Sequence, residues 1–201
     1  SLTTTASDVL ILNGLVLGGT LTNLSNSGEI QTNVLTATSA VPIPAGKTWG
    51  GNVEYNGAGA QTAVGGTYAA LQINNSTGVS LAAAATVTTL TIADVTANSI
   101  FNDGGYTITT ATTLNLNSGT YNCNAATFPW GTLVAGTGTV NYGFAGAQTV
   151  AVKTYYNLIL SGSGAKTFAA TTITNNLTLS GAATATTGAN LTIGGDLSIG
   201  N

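Results

Sequence analysis

Short triads in which two apolar residues flank a polar one recur along the chain: Leu71-Gln72-Ile73, Leu90-Thr91-Ile92, Leu114-Asn115-Leu116, Leu177-Thr178-Leu179, Leu191-Thr192-Ile193 and Leu197-Ser198-Ile199. Alternation of period two puts the outer side chains on one face and the middle one on the other, the pattern of a half-buried strand. No stretch sustains a helical period. Residues 80–93, SLAAAATVTTLTIA, open with alanines, but their second half alternates and is rich in β-branched residues, so it too is predicted as strand. The steps from Leu71 to Leu90 and from Leu158 to Leu177 are equal, the step from Leu177 to Leu197 is one position longer, and the step from Leu90 to Leu114 is stretched by an insertion. Rungs of roughly 19–20 residues with occasional insertions match the turns of a parallel β-solenoid. NNSTG (74–78), NDGG (102–105), SGSG (161–164) and GG (194–195) supply corners between strands. The pattern therefore predicts an all-β chain, a right-handed parallel β-solenoid (β-helix) of about ten rungs, on the order of 50 Å long at roughly 4.8 Å per rung. A narrow solenoid fills its centre with small aliphatic residues and has little room for rings. The competing all-β arrangement is an antiparallel sandwich, which also has short strands and frequent turns.

GAGAQTAVGGTYAAL at residues 57–71 is rewritten without a gap as FAGAQTVAVKTYYNL at 144–158, a shift of 87 positions. With that shift Val53, Tyr55, Gln61, Thr67, Tyr68, Leu71 and Leu90 recur as Val140, Tyr142, Gln148, Thr154, Tyr155, Leu158 and Leu177. Trp49-Gly50 and Trp130-Gly131 precede the two copies, with six extra residues in the second before the register resumes. The expected organisation is one solenoid domain over residues 1–201, made of N-terminal rungs (1–48), a first repeat unit (49–129) and a second (130–201), each unit about four rungs.

WGTLVAGTGTVNY (130–142), Gln148-Thr149, TYYNLILSGSGAKTF (154–168), NLTLSG (176–181) and IGGDLSIG (193–200) resemble the Thr/Asn/Gly-rich repeats of large bacterial extracellular adhesin-like surface proteins. The resemblance covers most of 130–200 and, more loosely, 49–92; residues 1–48 share only its texture. It implies a secreted or cell-surface β-solenoid and carries no catalytic motif.

Charge narrows the partners. Only 4% of residues are charged, with Lys47, Lys153 and Lys166, no arginine, and a formal net charge of −3. Without a basic stripe the chain is not expected to bind nucleic acid, and anionic membrane surfaces are disfavoured on the same ground. Polar residues interrupt every apolar run, so no transmembrane helix is predicted. High hydrophobicity with low charge is the reverse of the disordered signature. Cys123 is the only cysteine and is expected to be a buried apolar residue. Ser1 in place of Met and the lack of a leader suggest a processed or excised chain, extracellular or on the cell surface.

The chemistry available is sparse. With no histidine and no arginine, Ser-His-Asp triads, Cys-His dyads, arginine clamps and histidine metal sites are excluded. Asp8, Glu29, Glu54, Asp94, Asp103 and Asp196 are scattered, Asp94 and Asp103 being about half a rung apart, so no carboxylate pair is expected to share a face. No enzymatic activity and no cofactor are expected. Asn102 and Asp103 in FNDGGY read as turn chemistry before calcium ligation. Sequons such as Asn176-Leu177-Thr178 and Asn190-Leu191-Thr192 arise by composition alone. Thr20-Leu21-Thr22, Thr89-Leu90-Thr91 and Thr107-Ile108-Thr109 invite an ice-binding reading, but Asn176 and Asn190 break the rank. Trp49, Trp130, Tyr155 and Tyr156 would suit a stacking platform for glycans, the property of an adhesin segment binding glycans or surfaces.

Assembly remains. The chain opens on SLTTTASDVLILNGLVLGG and closes on LTIGGDLSIGN, with apolar strand material at both ends and few charges to block an edge. The expectation is head-to-tail stacking into a homopolymeric fibre, sheath or surface layer, through an interface that includes Leu10, Leu12, Leu15, Leu17, Leu191, Ile193, Leu197 and Ile199.

Overall fold

The computed structural model describes residues 1–169 and 171–200. Those residues form a parallel β-solenoid of about ten turns without a helix. The triads fall on strands as their alternation requires. Leu71, Leu90 and Leu114 stack in register with Gln72, Thr91 and Asn115 beside them, and the leucines are buried. Ala85–Ile92 is a single strand, as its alternating second half predicts, and the alanines at 82–84 make the corner before it.

Two large sheets carry the N-terminal half. One runs upward through Val9–Ile11, Glu29–Thr32, Thr48–Tyr55, Thr67–Ile73, Ala85–Ile92, Thr113–Leu116 and Thr132–Val134, where it ends. The other begins at Gln61–Ala63, passes through Val79–Leu81, Ile100–Asn102 and Thr120–Cys123, and continues without a break to Leu197–Ile199. In the C-terminal half that continuous sheet is joined by two three-stranded sheets, which start at Gln148–Val150 and Thr154–Tyr155.

The duplication therefore does not return to its own face. Val53 lies in the sheet that ends at Thr132–Val134, whereas its copy Val140 pairs with Tyr121 in the continuous sheet. Leu71 steps to Leu90, Leu114 and Leu133 one turn at a time, and its copy Leu158 then arrives on the other sheet. A unit expected to span about four rungs spans four rungs and one face more. The six extra residues after Trp130 are the cause. In the first copy Trp49 and Val53 share one strand across a bulge. In the second, the insertion lets Thr132–Val134 finish its strand and turn before Thr139–Tyr142 enters the next sheet.

The core corrects the expected interior. Trp49, Tyr55, Tyr68, Phe101, Tyr121, Tyr142 and Tyr155 are among the largest fully buried side chains. A bent two- or three-sheet cross-section is wide enough for rings, and the hydroxyls find partners at the corners. Tyr68 donates to the Val64 carbonyl at 2.7 Å, and its copy Tyr155 donates to the Ala151 carbonyl, the copy of Val64, at 2.8 Å. The copies diverge at the next ring: the Tyr142 and Tyr155 hydroxyls bond at 2.8 Å, while the buried Tyr55 hydroxyl has no partner.

Candidate functional site

The repeated GAQT motif builds a corner staple. Gln61 and Gln148 are 2% and 3% exposed, so an amide at either position must find partners inside the protein. The Gln61 Nε2 donates downward to the Thr32 and Val34 carbonyls at 2.9 and 3.1 Å. Its Oε1 accepts from the Gly57 N–H at 2.7 Å and from Asn75 Nδ2, one turn above, at 2.9 Å. Gln148 repeats this: Nε2 donates to the Cys123 and Ala125 carbonyls at 3.2 and 2.7 Å, and Oε1 accepts from the Phe144 N–H at 3.2 Å. Its upper donor is Lys166, whose Nζ lies 2.8 Å from Oε1. One side chain thus ties three successive turns.

Replacing Gln61 by Leu keeps the volume, strands the two carbonyls and the Gly57 N–H, and leaves Asn75 Nδ2 with the Gly59 carbonyl alone. The expected cost is roughly 2–4 kcal/mol, seen as a lower denaturation midpoint at unchanged m. A midpoint within experimental error of the parent would show that the staple is dispensable.

The acids are not all scattered. Glu29 and Glu54 lie on adjacent paired strands, diagonal across the Glu29–Asn52 and Gln31–Glu54 register. Amides thread them together: Asn52 Nδ2 donates to Glu29 Oε2 at 3.3 Å and to Gln72 Oε1 at 2.8 Å, and Gln31 donates to Glu29. Asn74 and Asn56 donate to Glu54 at 2.5 and 3.2 Å, and Gln72 donates to Asp94 at 3.2 Å. Burial raises the Glu54 pKa, the Asn74 bond offsets part of that, and the Glu29 charge adds to it. The two acids are one rung apart in the stack yet more than a rung's length apart along the chain, so their separation in sequence hid the pairing. Both Glu54 oxygens are held by amides. Among the described residues no three His, Cys, Asp or Glu side chains converge as a metal site.

Asp103 anchors another corner. Its Oδ1 accepts from Gly105 and Asn124 N–H groups at 2.9 and 2.8 Å, and Oδ2 accepts from the Ala125 N–H at 3.3 Å and the Tyr121 hydroxyl at 3.2 Å. The carboxyl is fully buried and its pKa is raised by that burial, against the pull of these donors. The turn reading of FNDGGY describes this corner. Cys123 is buried as expected, and burial pushes its thiol pKa far up.

Three of the four rings proposed for a glycan platform lie inside. Trp49, Trp130 and Tyr155 are buried core members, the first and last on strands and Trp130 just before one; only Tyr156 is half-exposed. Thr20-Leu21-Thr22 lies outside the strands, and Thr86 and Thr109 spend their hydroxyls on each other at 2.9 Å.

The residues expected at the assembly interface divide. Leu12 is buried in the core, Leu10 and Leu17 are half-buried against it, and Leu15 is exposed. At the other end Leu197 and Ile199 stack in register on Leu177 and Leu179, on the inward side of the sheet, yet are 56% and 69% exposed. With half-buried Leu191 and Ile193 they border an apolar cavity of about 220 Å³ that opens into the core at Leu160 and Phe168. No helix of the described residues is long and apolar enough to cross a membrane. Searches of protein-family models, curated proteins and solved structures find no match to this chain.

Proposed function

We propose that this chain is a structural β-solenoid of the cell exterior whose stack is continued head to tail by the rungs of a second copy. The observation that carries the reading is the last described rung. Ala182–Thr187, Leu191–Ile193 and Leu197–Ile199 each pair with a strand on one side only, and the inward residues Leu197 and Ile199 stand uncovered. An incoming rung would satisfy all three edges and close the apolar cavity, the stabilisation that every internal rung already has. A heterologous contact of this kind propagates into a fibre unless its rotation closes a ring. Low charge leaves little repulsion between copies, and the Thr/Asn/Gly-rich surface is that of the extracellular repeats the sequence resembles.

Sedimentation and negative-stain microscopy of the 201-residue chain test this. Concentration-dependent oligomers that appear as unbranched filaments are expected, and the double variant Leu197→Asp, Ile199→Asp should stay monomeric while keeping its strand circular dichroism. A parent protein that is a stable monomer at about 100 μM would overturn the reading, since a weaker contact could not hold a fibre.

A further inference from the structure

The lowest rung has the complement of what the last one leaves open. Among the described residues, Leu2–Thr4 and Val9–Ile11 each pair only with the strand above. Leu2, Leu10 and Leu17 are half-buried against the core and Leu12 is buried in it. Both rungs wind in the same order. The first runs through Leu2–Thr4, Val9–Ile11 and residues 15–17, where the Leu17 N–H donates to the Pro42 carbonyl of the turn above at 2.9 Å. The last runs through Ala182–Thr187, Leu191–Ile193 and Leu197–Ile199.

The hydrogen-bond phase agrees on the middle strand of each turn. The N–H groups of inward residues donate upward: Leu12 to the Gln31 carbonyl at 3.0 Å, and Thr171, which stacks under Leu191, to the Asn190 carbonyl at 3.4 Å. The alternate N–H groups donate downward, as Gly194 does to the Ile173 carbonyl at 2.9 Å. By the same alternation Leu191 and Ile193 aim their N–H groups at the open top, and Val9 and Ile11 aim theirs at the open bottom.

We propose, building on the head-to-tail reading above, that the lowest rung of the next copy seats on the last rung without rotation, with Leu10 over Leu191 and Leu12 over Ile193. Each incoming strand then meets the strand that holds the same place in the turn, as in the internal rungs. Leu2–Thr4 lies on Ala182–Thr187, whose small Ala185 leaves depth in the cavity of about 220 Å³ for the Leu2 side chain. Residues 15–17 cover Leu197 and Ile199. A slip of one residue would turn Leu10 and Leu12 outward and set N–H against N–H.

Cross-linking between copies tests the seat. Ile11 and Thr192 are exposed on the outer face, and the proposed register puts their Cα atoms about 4.8 Å apart across the contact, within reach of a disulfide. In a Cys123→Ala background, Ile11→Cys chains mixed with Thr192→Cys chains under a mild oxidant should give linked dimers with one chain of each kind. The double variant should give a ladder of multimers, and neither single variant should link alone. Val9→Cys with Thr192→Cys reports a slip of two residues, and Ile11→Cys with Ser198→Cys a rotation by one side. Faster linking of either pair overturns the proposal, and so does Thr192→Cys linking to itself, which marks a tail-to-tail contact. Sedimentation of the same samples separates this proposal from the reading beneath it: filaments that fail to link Ile11→Cys to Thr192→Cys overturn the seat and leave head-to-tail stacking in place, whereas monomers remove both.

Discussion

Raising the pH above about 10 is expected to unfold this protein cooperatively, while lowering it to about 3 leaves it folded. Burial raises the pKa of Tyr55 to about 12 and carries those of Tyr68, Tyr121, Tyr142 and Tyr155 above the ordinary tyrosine value as well. Cys123 is raised by the same cause. In the unfolded chain these groups ionise at their ordinary values, near 10 for tyrosine and 8.5 for cysteine. Above those values the unfolded state sheds protons that the folded state retains, so stability that is complete below the unfolded pKa is lost as pH rises towards the folded one. Each fully titrating group removes about 1.4 kcal/mol per pH unit, so six together remove roughly 8–10 kcal/mol by pH 11, as much as a typical domain possesses. Lys166 acts in the opposite sense, because its folded pKa is lowered and the unfolded state binds the extra proton, but it is one group against six. On the acid side Glu54 and Asp103 are both raised, so the folded state takes up their protons first and stability grows as pH falls from neutrality through their folded values. Circular dichroism and tyrosinate absorbance along one pH titration check this. Coincident, cooperative changes are expected. Tyrosinate appearing gradually near its ordinary pKa with the strand signal intact would show that the rings are open to solvent.

That asymmetry is not visible in the count of charged residues, because it comes from buried tyrosines and a cysteine that are uncharged at neutrality. The strands themselves were legible, because Leu71-Gln72-Ile73 and its relatives alternate and return at nearly constant intervals. Which sheet each rung joins was not. Spacing tells when the next strand arrives, whereas the face depends on where the corner is taken, and the longer interval from Leu133 to Leu158 looks like any insertion. The inward rings were misjudged for a related reason. Tyr155 was read as one ring of a surface platform, whereas the width of the interior, which admits it, is a property of the cross-section that no local pattern records. Gln61 and Gln148 carried a usable signal, since the same AQT motif is kept in both copies where the rest of the unit has diverged. The Glu29–Glu54 pair carried none, because its separation in sequence exceeds the usual rung.

The step between the two copies is where truncating one ring should cost most. There the sheet ending at Thr132–Val134 stops, the sheets beginning at Gln148–Val150 and Thr154–Tyr155 start, and Thr120–Cys123 paired with Thr139–Tyr142 carries the continuous sheet across. Rings replace the missing backbone continuity. Tyr121 stacks on Phe101 at 6.1 Å and meets Phe128 and Trp130 edge-on at 5.9 and 6.2 Å. Phe128 stacks on Tyr142 at 5.8 Å, and Tyr142 meets Tyr155 at 6.3 Å. Tyr121→Ala removes the member that touches three of these rings and also takes the hydroxyl from buried Asp103. A cavity of that size costs roughly 3–5 kcal/mol, and the lost ring pairs add about 0.5–1.5 kcal/mol each. Because few backbone bonds bridge the step, the loss should fall on the coupling between the halves as well as on total stability, so denaturation is expected to split into two transitions. Leu71→Ala, inside the first copy where both neighbouring strands are fully paired, should cost about 2–5 kcal/mol and keep a single transition. Hydrogen exchange distinguishes the cases, since in Tyr121→Ala the amides above the step should exchange through an opening that leaves those below protected. Uniform loss of protection along the whole stack would mean that the continuous sheet alone holds the halves together and that the rings only fill space.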